Sequence, residues 1–188
     1  ANFAPMNEKT TDFEIMAPVG SYESLYAAIQ GGADAVYFGI EGLNMRAKSS
    51  NNFTTNDLHQ IAHICTEHGM KSYLTVNTII YDEDISLMHK IVDAAKEANI
   101  SAIIASDMAT ILYARSKGVE VHISTQVNVS NTEAARFYAH YADVLVLARE
   151  LNLTQVAAIY DAIVNENICG PHGKLLRIEM FCHGALCM

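Results

Sequence analysis

The chain has 188 residues, of which 51% are hydrophobic and 18% are charged. This composition predicts a single globular domain and excludes a disordered chain, because it supplies enough apolar material to bury a core. Lys and Arg number 12 against 21 Asp and Glu, which gives a formal net charge of −9. A strongly basic, phosphate-binding surface over the whole chain is therefore excluded, whereas a local basic pocket is not.

The sequence shows no targeting or membrane segment. No run approaches the roughly 18 apolar residues of a membrane span, and the first dozen residues lack the apolar core of a signal peptide. The four cysteines are too few and too unevenly placed for a secreted disulfide framework. We therefore expect a cytoplasmic protein with no membrane partner.

Residues 1–12 are polar and lack periodicity, which predicts a flexible N-terminal lead-in before one domain at 13–188. From there on, short apolar runs alternate with segments of helical period, a pattern that predicts βα units around a parallel sheet. Strands are predicted over 13–19, 34–40, 71–77, 100–106, 119–124, 143–148 and 175–181. Helices, with polar N-caps and frequent glycine stops, are predicted over 21–30, 54–69, 84–98, 107–118, 131–141 and 154–165.

Two architectures contain such a series of βα units: an open doubly wound sheet and a (β/α)8 barrel. A phosphate-binding open sheet favours a glycine-rich first turn, but the first turn here, APVGSYES, contains neither GxGxxG nor a GxxxxGKS or GxxxxGKT motif. Spacing of roughly 20 to 35 residues between strands is typical of a barrel, which has about 250 residues when complete. We therefore expect an α/β fold of the (β/α) TIM-barrel type, truncated after about the seventh strand.

Polar residues collect at the carboxyl ends of the predicted strands, where barrel enzymes hold their active sites. Asp107 and Asn128 are also well placed to cap helices, and Arg149 with Glu150 also fits a surface ion pair. An Arg directly after a strand equally suits bidentate binding of a carboxylate or phosphate. The candidates for substrate binding are Asn44, Arg46, Asn77, Asp107, Ser124, Gln126, Asn128, Arg149 and Glu150.

His122 lies inside the fifth predicted strand, two residues before Ser124. Because side chains alternate along a strand, these two are expected on the same face of the sheet. Two interpretations of His122 stay open. It is either a hydrogen-bonded histidine inside the barrel or a residue of the active-site pocket.

The cysteines differ in their predicted surroundings. Cys65 falls on the apolar face of the second helix and is expected to be buried. Cys182 and Cys187 follow the last strand at the active end, where thiolates can bind a soft metal or an iron–sulfur cluster. The alternative is a catalytic cysteine paired with His183, although adjacent residues point in opposite directions while a strand continues.

Six segments of the chain together carry a family resemblance: APVGSYESLYAAIQGGADAVYFG (17–39), LNMRA (43–47), TVNT (75–78), STQVNVSN (124–131), VLAREL (146–151) and EMFCHGALCM (179–188). They resemble peptidase family U32, the collagenase-like proteases, and the resemblance covers residues 13–188. The last segment contributes Glu179 and His183, which together with His122 are the candidate catalytic residues.

The resemblance implies several chemistries. The family includes tRNA and rRNA hydroxylation proteins and proteins of oxygen-independent ubiquinone synthesis, which are associated with a four-cysteine 4Fe-4S cluster, and several members use prephenate. Cys187 matches the first cluster ligand of the family, whereas Cys182 lies outside the usual pattern. The other ligands of the family pattern would follow Met188. The resemblance therefore implies a cluster in the full-length parent and none in this chain.

The leading hypothesis is an iron–sulfur parent enzyme that hydroxylates RNA, at a tRNA wobble uridine. In this hypothesis Arg149 binds the carboxylate of a prephenate-like co-substrate, and His183 acts near the cluster. The same hypothesis has the pocket lined by His122, Asn77 and Gln126.

Two further hypotheses belong to other classes. One is a collagenase-like peptidase that acts on a protein substrate through His183 and either Cys182 or Cys187. The other is a non-catalytic fragment of a barrel. Since an incomplete barrel has open edges, we expect its first and seventh strands to pair with each other or with a second copy, as a homodimer.

Overall fold

The structure is a computed structural model that describes residues 13–43 and 53–183. Four predicted features lie outside the described residues: the lead-in at 1–12 and the candidate site residues Asn44, Arg46 and Cys187. Within the described ranges, seven strands alternate with six α-helices, as predicted from the sequence.

The strands are shorter than the apolar runs that predict them. They are β1 (Met16–Pro18), β2 (Ala35–Phe38), β3 (Lys71–Val76), β4 (Ala102–Ala105), β5 (Glu120–Ile123), β6 (Val144–Val146) and β7 (Arg177–Glu179). The helices are α1 (Tyr22–Gln30), α2 (Leu58–Glu67), α3 (Ile85–Glu97), α4 (Met108–Ser116), α5 (Thr132–Ala139) and α6 (Leu153–Asn165). Short 3-10 turns occupy Thr55–Asp57, Asp82–Asp84 and Thr125–Val127.

Four of the six helices begin at an N-cap whose side chain is hydrogen-bonded to the first turn. Each capping side chain accepts a hydrogen bond of 2.9 to 3.3 Å from a backbone N–H in the first helical turn, which satisfies a donor that the helix itself leaves unpaired. These caps are Ser21, Asp107, Asn131 and Asn152. Helix α2 begins later than predicted, at Leu58, because Thr54 and Asp57 first close a 3-10 turn through a 2.7 Å hydrogen bond.

All seven strands are parallel and lie in chain order across one sheet, from β1 to β7. The sheet is curled, because Met16 of the first strand and Glu179 of the last line the same cavity. In the described part of the chain, β1 pairs only with β2 and β7 only with β6, so these two strands form the edges. This is the predicted TIM-barrel-like α/β fold with seven strands.

The main hydrophobic core lies between the convex face of the sheet and the helices, where Leu25, Ile61, Leu74, Ile103 and Leu145 are almost completely buried. Cys65 is buried in this core, as predicted, and burial raises the pKa of its thiol to about 11. A smaller cluster of Ala35, Tyr73, Ala102 and Ile104 lies inside the curl. The helices in residues 13–43 and 53–183 all lack the length and apolarity needed to cross a membrane.

Candidate active site at the carboxyl end of the sheet

A cavity of about 480 Å³ lies at the carboxyl ends of the strands, inside the curl of the sheet. Pockets that hold small molecules have volumes of roughly 300 to 1,000 Å³, so this cavity suits a ligand of that kind. Seven residues predicted from the sequence line it: Asn77, Ser124, Gln126, Asn128, Arg149, Glu150 and Glu179. Most of the described candidates therefore lie together, as expected when polar residues after successive barrel strands converge on one site.

An amide network forms one wall of the cavity. The Oε1 atom of Gln126 accepts a hydrogen bond from Nδ2 of Asn77 at 3.2 Å and another from the hydroxyl of the buried Ser124. Because both donors meet at Oε1, the side-chain amide of Gln126 is oriented, and its Nε2 hydrogens have no acceptor among the described residues. Asn128 ends the adjoining 3-10 turn in the left-handed conformation, with φ of 57°, which Asn tolerates better than most residues.

Arg149 brings a positive charge to the mouth of the cavity. It is exposed, and its Cζ atom lies 5.5 Å from the centre of the Phe181 ring, a cation–π distance. Among residues 13–43 and 53–183, no ion pair involves Arg149 or Glu150, so the two do not form the surface pair considered from the sequence. The guanidinium therefore retains its hydrogen-bond donors for an anionic ligand.

Glu179 is half-buried at the end of β7, next to Val146 in the strand register. Its carboxyl group receives no hydrogen bond and forms no ion pair within the described part of the chain. Burial, with a smaller effect from the negative charge of Glu14, raises the pKa of this carboxyl to about 7. Glu179 is thus able to gain or lose a proton near neutral pH.

His122 lies inside the barrel, but the cavity does not include it. It is 2% exposed, its Nε2 is 3.2 Å from Oε1 of Glu120, and its ring centre is 4.7 Å from that of Tyr73. Arg177 also binds Glu120. Of the two interpretations left open, this placement favours the barrel-interior histidine. A direct catalytic contact with a ligand in the cavity stays a prediction without support from this geometry.

Asp107 has a structural partner for each carboxylate oxygen. Its Oδ1 accepts the N–H of Ala109 at 2.9 Å, and its Oδ2 accepts the N–H of Ile80 at 3.3 Å. Asp107 therefore caps α4 and ties it to the loop after β3, outside the cavity wall. The capping alternative accounts for all of its contacts.

Cys182 and His183 follow β7 and are both exposed outside the cavity wall. No group of three or more His, Cys, Asp or Glu side chains capable of holding a metal occurs in residues 13–43 and 53–183. An iron–sulfur cluster normally takes four cysteines. The described residues therefore do not fit a 4Fe-4S cluster, and Cys187, its predicted ligand, lies outside them.

Sequence reasoning missed the aromatic part of the cavity. Tyr37 and Phe38 of β2 and Phe181 after β7 line it, together with Thr75, whose hydroxyl donates to the carbonyl of Phe38 at 3.0 Å. The period-2 alternation along β2 and β3 could have identified Tyr37 and Thr75 as inward-facing residues. No sequence signal pairs Phe181 with Arg149, since that contact depends on how two neighbouring strand ends meet.

Similarity to known proteins identifies the family of the chain. The model of peptidase family U32 matches residues 20–188. The chain belongs to peptidase family U32. The resemblance seen in the sequence segments is thereby confirmed.

Curated U32 relatives carry names from two different activities. The chain is 70% identical over 177 residues to a collagenase of Porphyromonas gingivalis strain W83, a match that covers 94% of this chain and 43% of the relative. It is 32% identical to tRNA hydroxylation protein P1 of Bacillus subtilis, with 93% and 39% covered. It is also 32% identical to the 23S rRNA 5-hydroxycytidine C2501 synthase of Escherichia coli, with 93% and 25% covered. The chain thus spans less than half the length of these relatives.

Among solved structures, the U32 peptidase Mk0906 is similar with a TM-score of 0.66 and 16% identity, covering 84% of this chain and 68% of that one. The tryptophan synthase alpha chain of Legionella pneumophila is similar with a TM-score of 0.55 and 13% identity, covering 89% and 70%. At these identities the similarity shows the fold alone.

Proposed function

We propose that this U32 chain forms the carboxylate-binding part of an enzyme that hydroxylates RNA. In this proposal a small carboxylate co-substrate such as prephenate occupies the cavity, and the longer parent protein acts on a pyrimidine, a tRNA wobble uridine in the first instance. The names of the Bacillus and Escherichia relatives, which match 93% of this chain, support RNA hydroxylation as the reaction class.

Arg149 is the observation that carries the proposal. Its guanidinium lies over Phe181 at the mouth of a cavity of about 480 Å³ and has no carboxylate partner among the described residues. The oriented amide of Gln126 offers a second donor from the wall. A site with a forked cation, an amide donor and aromatic side chains is complementary to a small, partly apolar carboxylate.

The described chain does not by itself offer a basic surface for RNA. Arg177 binds Glu120 at the amino end of β7, away from the cavity. Lys174 precedes the same strand. We therefore assign contact with RNA to regions of the parent outside the described residues, and the net charge of −9 is no argument against it.

The redox cofactor is the part of the proposal that the described residues do not supply. Cys182 is the one cysteine after β7 in the described part of the chain, and a cluster needs further thiolates. A 4Fe-4S cluster is accordingly proposed for the parent protein alone. Anaerobic purification of that protein, followed by iron analysis and visible absorption spectroscopy, tests this component.

A collagenase-like peptidase is the second candidate, and the 70% identity to the Porphyromonas gingivalis collagenase favours it. Its nucleophile would be Cys182 or Cys187, with His183 as the base. In the described part of the chain, Cys182 and His183 are exposed and have no third residue to orient them. Hydroxylation is preferred because the cavity resembles a small-molecule pocket more than a peptide-binding cleft.

Binding of prephenate to this chain, measured by isothermal titration calorimetry, tests the carboxylate site. We expect Arg149→Ala to weaken binding at least tenfold, on the order of the 1.5 to 3 kcal/mol of a charge-assisted hydrogen bond. Lys174→Ala, which removes an exposed positive charge at the other end of the strands, is the matched control and should bind normally. Equal affinity in both variants would contradict the proposal.

Nucleoside mass spectrometry distinguishes the two candidate reactions. Cells that lack the parent protein should lose a hydroxylated pyrimidine from tRNA or rRNA and regain it when the gene is restored. The peptidase candidate instead predicts unchanged nucleosides, and gelatin hydrolysis that disappears in the Cys182→Ala, Cys187→Ala double variant.

A further inference from the structure

Among the described residues, two carboxyl groups line the cavity: that of Glu150, which is exposed, and that of Glu179, which is half-buried. Glu179 shares the cavity lining with the apolar residues Met16, Ile104, Val146 and Phe181, as well as with the polar residues described above. No described residue donates a hydrogen bond to its carboxyl group or forms an ion pair with it. An ionised carboxylate at this position would be only partly hydrated and would have no partner, which costs free energy.

The neighbouring charges do not neutralise Glu179. Glu14, which precedes β1, adds a negative charge that acts in the same direction as burial. Glu14 itself binds Lys71 and Tyr73, each at 2.5 Å, and Arg177 binds Glu120, so these groups are engaged elsewhere. The titratable and charged groups around Glu179 are Glu14 before β1, Tyr37 on β2, Lys71 and Tyr73 on β3, Glu120 and His122 on β5, Arg149 and Glu150 after β6, and Arg177 on its own strand.

We propose that Glu179 binds a carboxylate ligand as the neutral acid, donating a hydrogen bond to one carboxylate oxygen while Arg149 binds the same ligand through its guanidinium. Complex formation then takes up a proton from solvent whenever Glu179 is ionised in the free protein. This inference rests on the proposed function, because it takes the ligand to be a small carboxylate.

The consequence is an affinity that falls as the pH rises. Only the protein with a neutral Glu179 is competent to bind, and the apparent dissociation constant is the intrinsic one divided by the competent fraction. With a pKa of about 7 for Glu179, that fraction falls about tenfold between pH 6 and pH 8. The cavity thus selects anions that accept a hydrogen bond and, through this proton, responds to pH in the neutral range.

Isothermal titration calorimetry with prephenate at pH 6, 7 and 8 tests the inference, with two buffers of different ionisation enthalpy at each pH. We expect the dissociation constant of the unmodified chain to rise about tenfold from pH 6 to pH 8, with proton uptake approaching one at pH 8. Glu179→Gln keeps a hydrogen-bond donor without the ionisation. It should therefore bind prephenate with the same affinity at all three pH values and take up no proton.

Two further variants control for position and cause. Glu150→Gln removes a carboxylate from the exposed rim of the same cavity and should keep the pH dependence. Glu14→Gln removes the negative charge that acts on Glu179 and should move the pH dependence to lower pH. A pH-independent affinity in the unmodified chain, or an unchanged pH dependence in Glu179→Gln, would overturn the inference.

If the proposed function is wrong, the binding experiment gives a different result. If prephenate binds neither the unmodified chain nor any variant, the carboxylate site is wrong, and infrared spectroscopy of the free chain with isotope-labelled glutamate decides the state of Glu179. A neutral carboxyl signal at pH 6 that is missing in Glu179→Gln supports Glu179 as a proton donor. A fully ionised Glu179 at pH 6 would overturn that role as well. Circular dichroism verifies that each variant is folded.

Discussion

Glu179 and Glu120 both lie inside the curled sheet, but at opposite ends, and the pKa values of their carboxyl groups are shifted in opposite directions. At the amino end, Glu120 accepts hydrogen bonds from Arg177 and His122, with His122 the larger influence, and its pKa falls to about 2. At the cavity end, Glu179 has no such partners among the described residues, and its pKa rises to about 7. Burial acts on both carboxyls, so the difference comes from the partners.

The two ends of the barrel therefore have different tasks. At the amino end, the described charged groups bind one another: Lys71 and Tyr73 bind Glu14, and Arg177 and His122 bind Glu120. At the cavity end, Arg149, Glu179 and the Nε2 group of Gln126 lack such partners in the described part of the chain. Polar groups that the fold leaves unsatisfied are available to a ligand, and they indicate a functional site rather than a stabilising one.

The largest expected effect comes from Glu179→Gln, which should stabilise the protein. The raised pKa of Glu179 lies above its ordinary value of 4.5, so ionising this carboxyl opposes folding, and the penalty grows as the pH rises from 4.5 through 7. At about 1.4 kcal/mol per pKa unit, we expect the variant to gain about 3 kcal/mol in free energy of unfolding at pH 8. Urea denaturation at pH 8 and pH 5 measures the gain, which should fall to below about 1 kcal/mol at the lower pH.

Destabilisation by Glu179→Gln at pH 8 would contradict this prediction, since it would mean that the ionised carboxylate has a stabilising partner. Glu150→Gln is the matched control, because it makes the same chemical change on the exposed rim of the cavity. Its free energy of unfolding should change by less than about 0.5 kcal/mol, as for most surface substitutions.

Glu120→Gln should instead lower the free energy of unfolding. The pKa of Glu120 lies below its ordinary value, so its ionised form stabilises the protein above pH 4.5, and this stabilisation is lost as the pH falls toward about 2. Because the side chain is 33% exposed, solvent screening reduces the effect, and we expect a loss of about 2 kcal/mol at pH 7. Urea denaturation at pH 7 and pH 3 should show the loss shrinking in acid. If both Gln variants changed the free energy of unfolding in the same direction at pH 7 to 8, the proposed difference between the two ends of the barrel would be wrong.

Much of the fold and part of the site could be predicted because their causes are local. Alternating runs define the strands, and residues directly after successive strands, such as Asn77, Gln126 and Arg149, must meet at one end of a parallel barrel. The raised pKa of Glu179 could not be predicted, because it depends mainly on burial of the carboxyl by strands that are distant in sequence, with a smaller effect from Glu14. His122 was ambiguous for a related reason: its sequence position shows that it faces inward but not whether it reaches the cavity.

Asp107 presents the same ambiguity at the surface, because an Asp after a barrel strand suits both a helix cap and a ligand-binding site. Its contacts with the N–H groups of Ala109 and Ile80 favour the cap. We therefore expect Asp107→Ala to lower the free energy of unfolding by about 1 kcal/mol, the usual effect of losing an N-cap, while the affinity for prephenate stays within twofold. Asp107→Asn keeps a capping oxygen and should recover most of the lost stability. An affinity loss with unchanged stability would place Asp107 among the groups that bind the ligand, and would extend the cavity end across the start of α4.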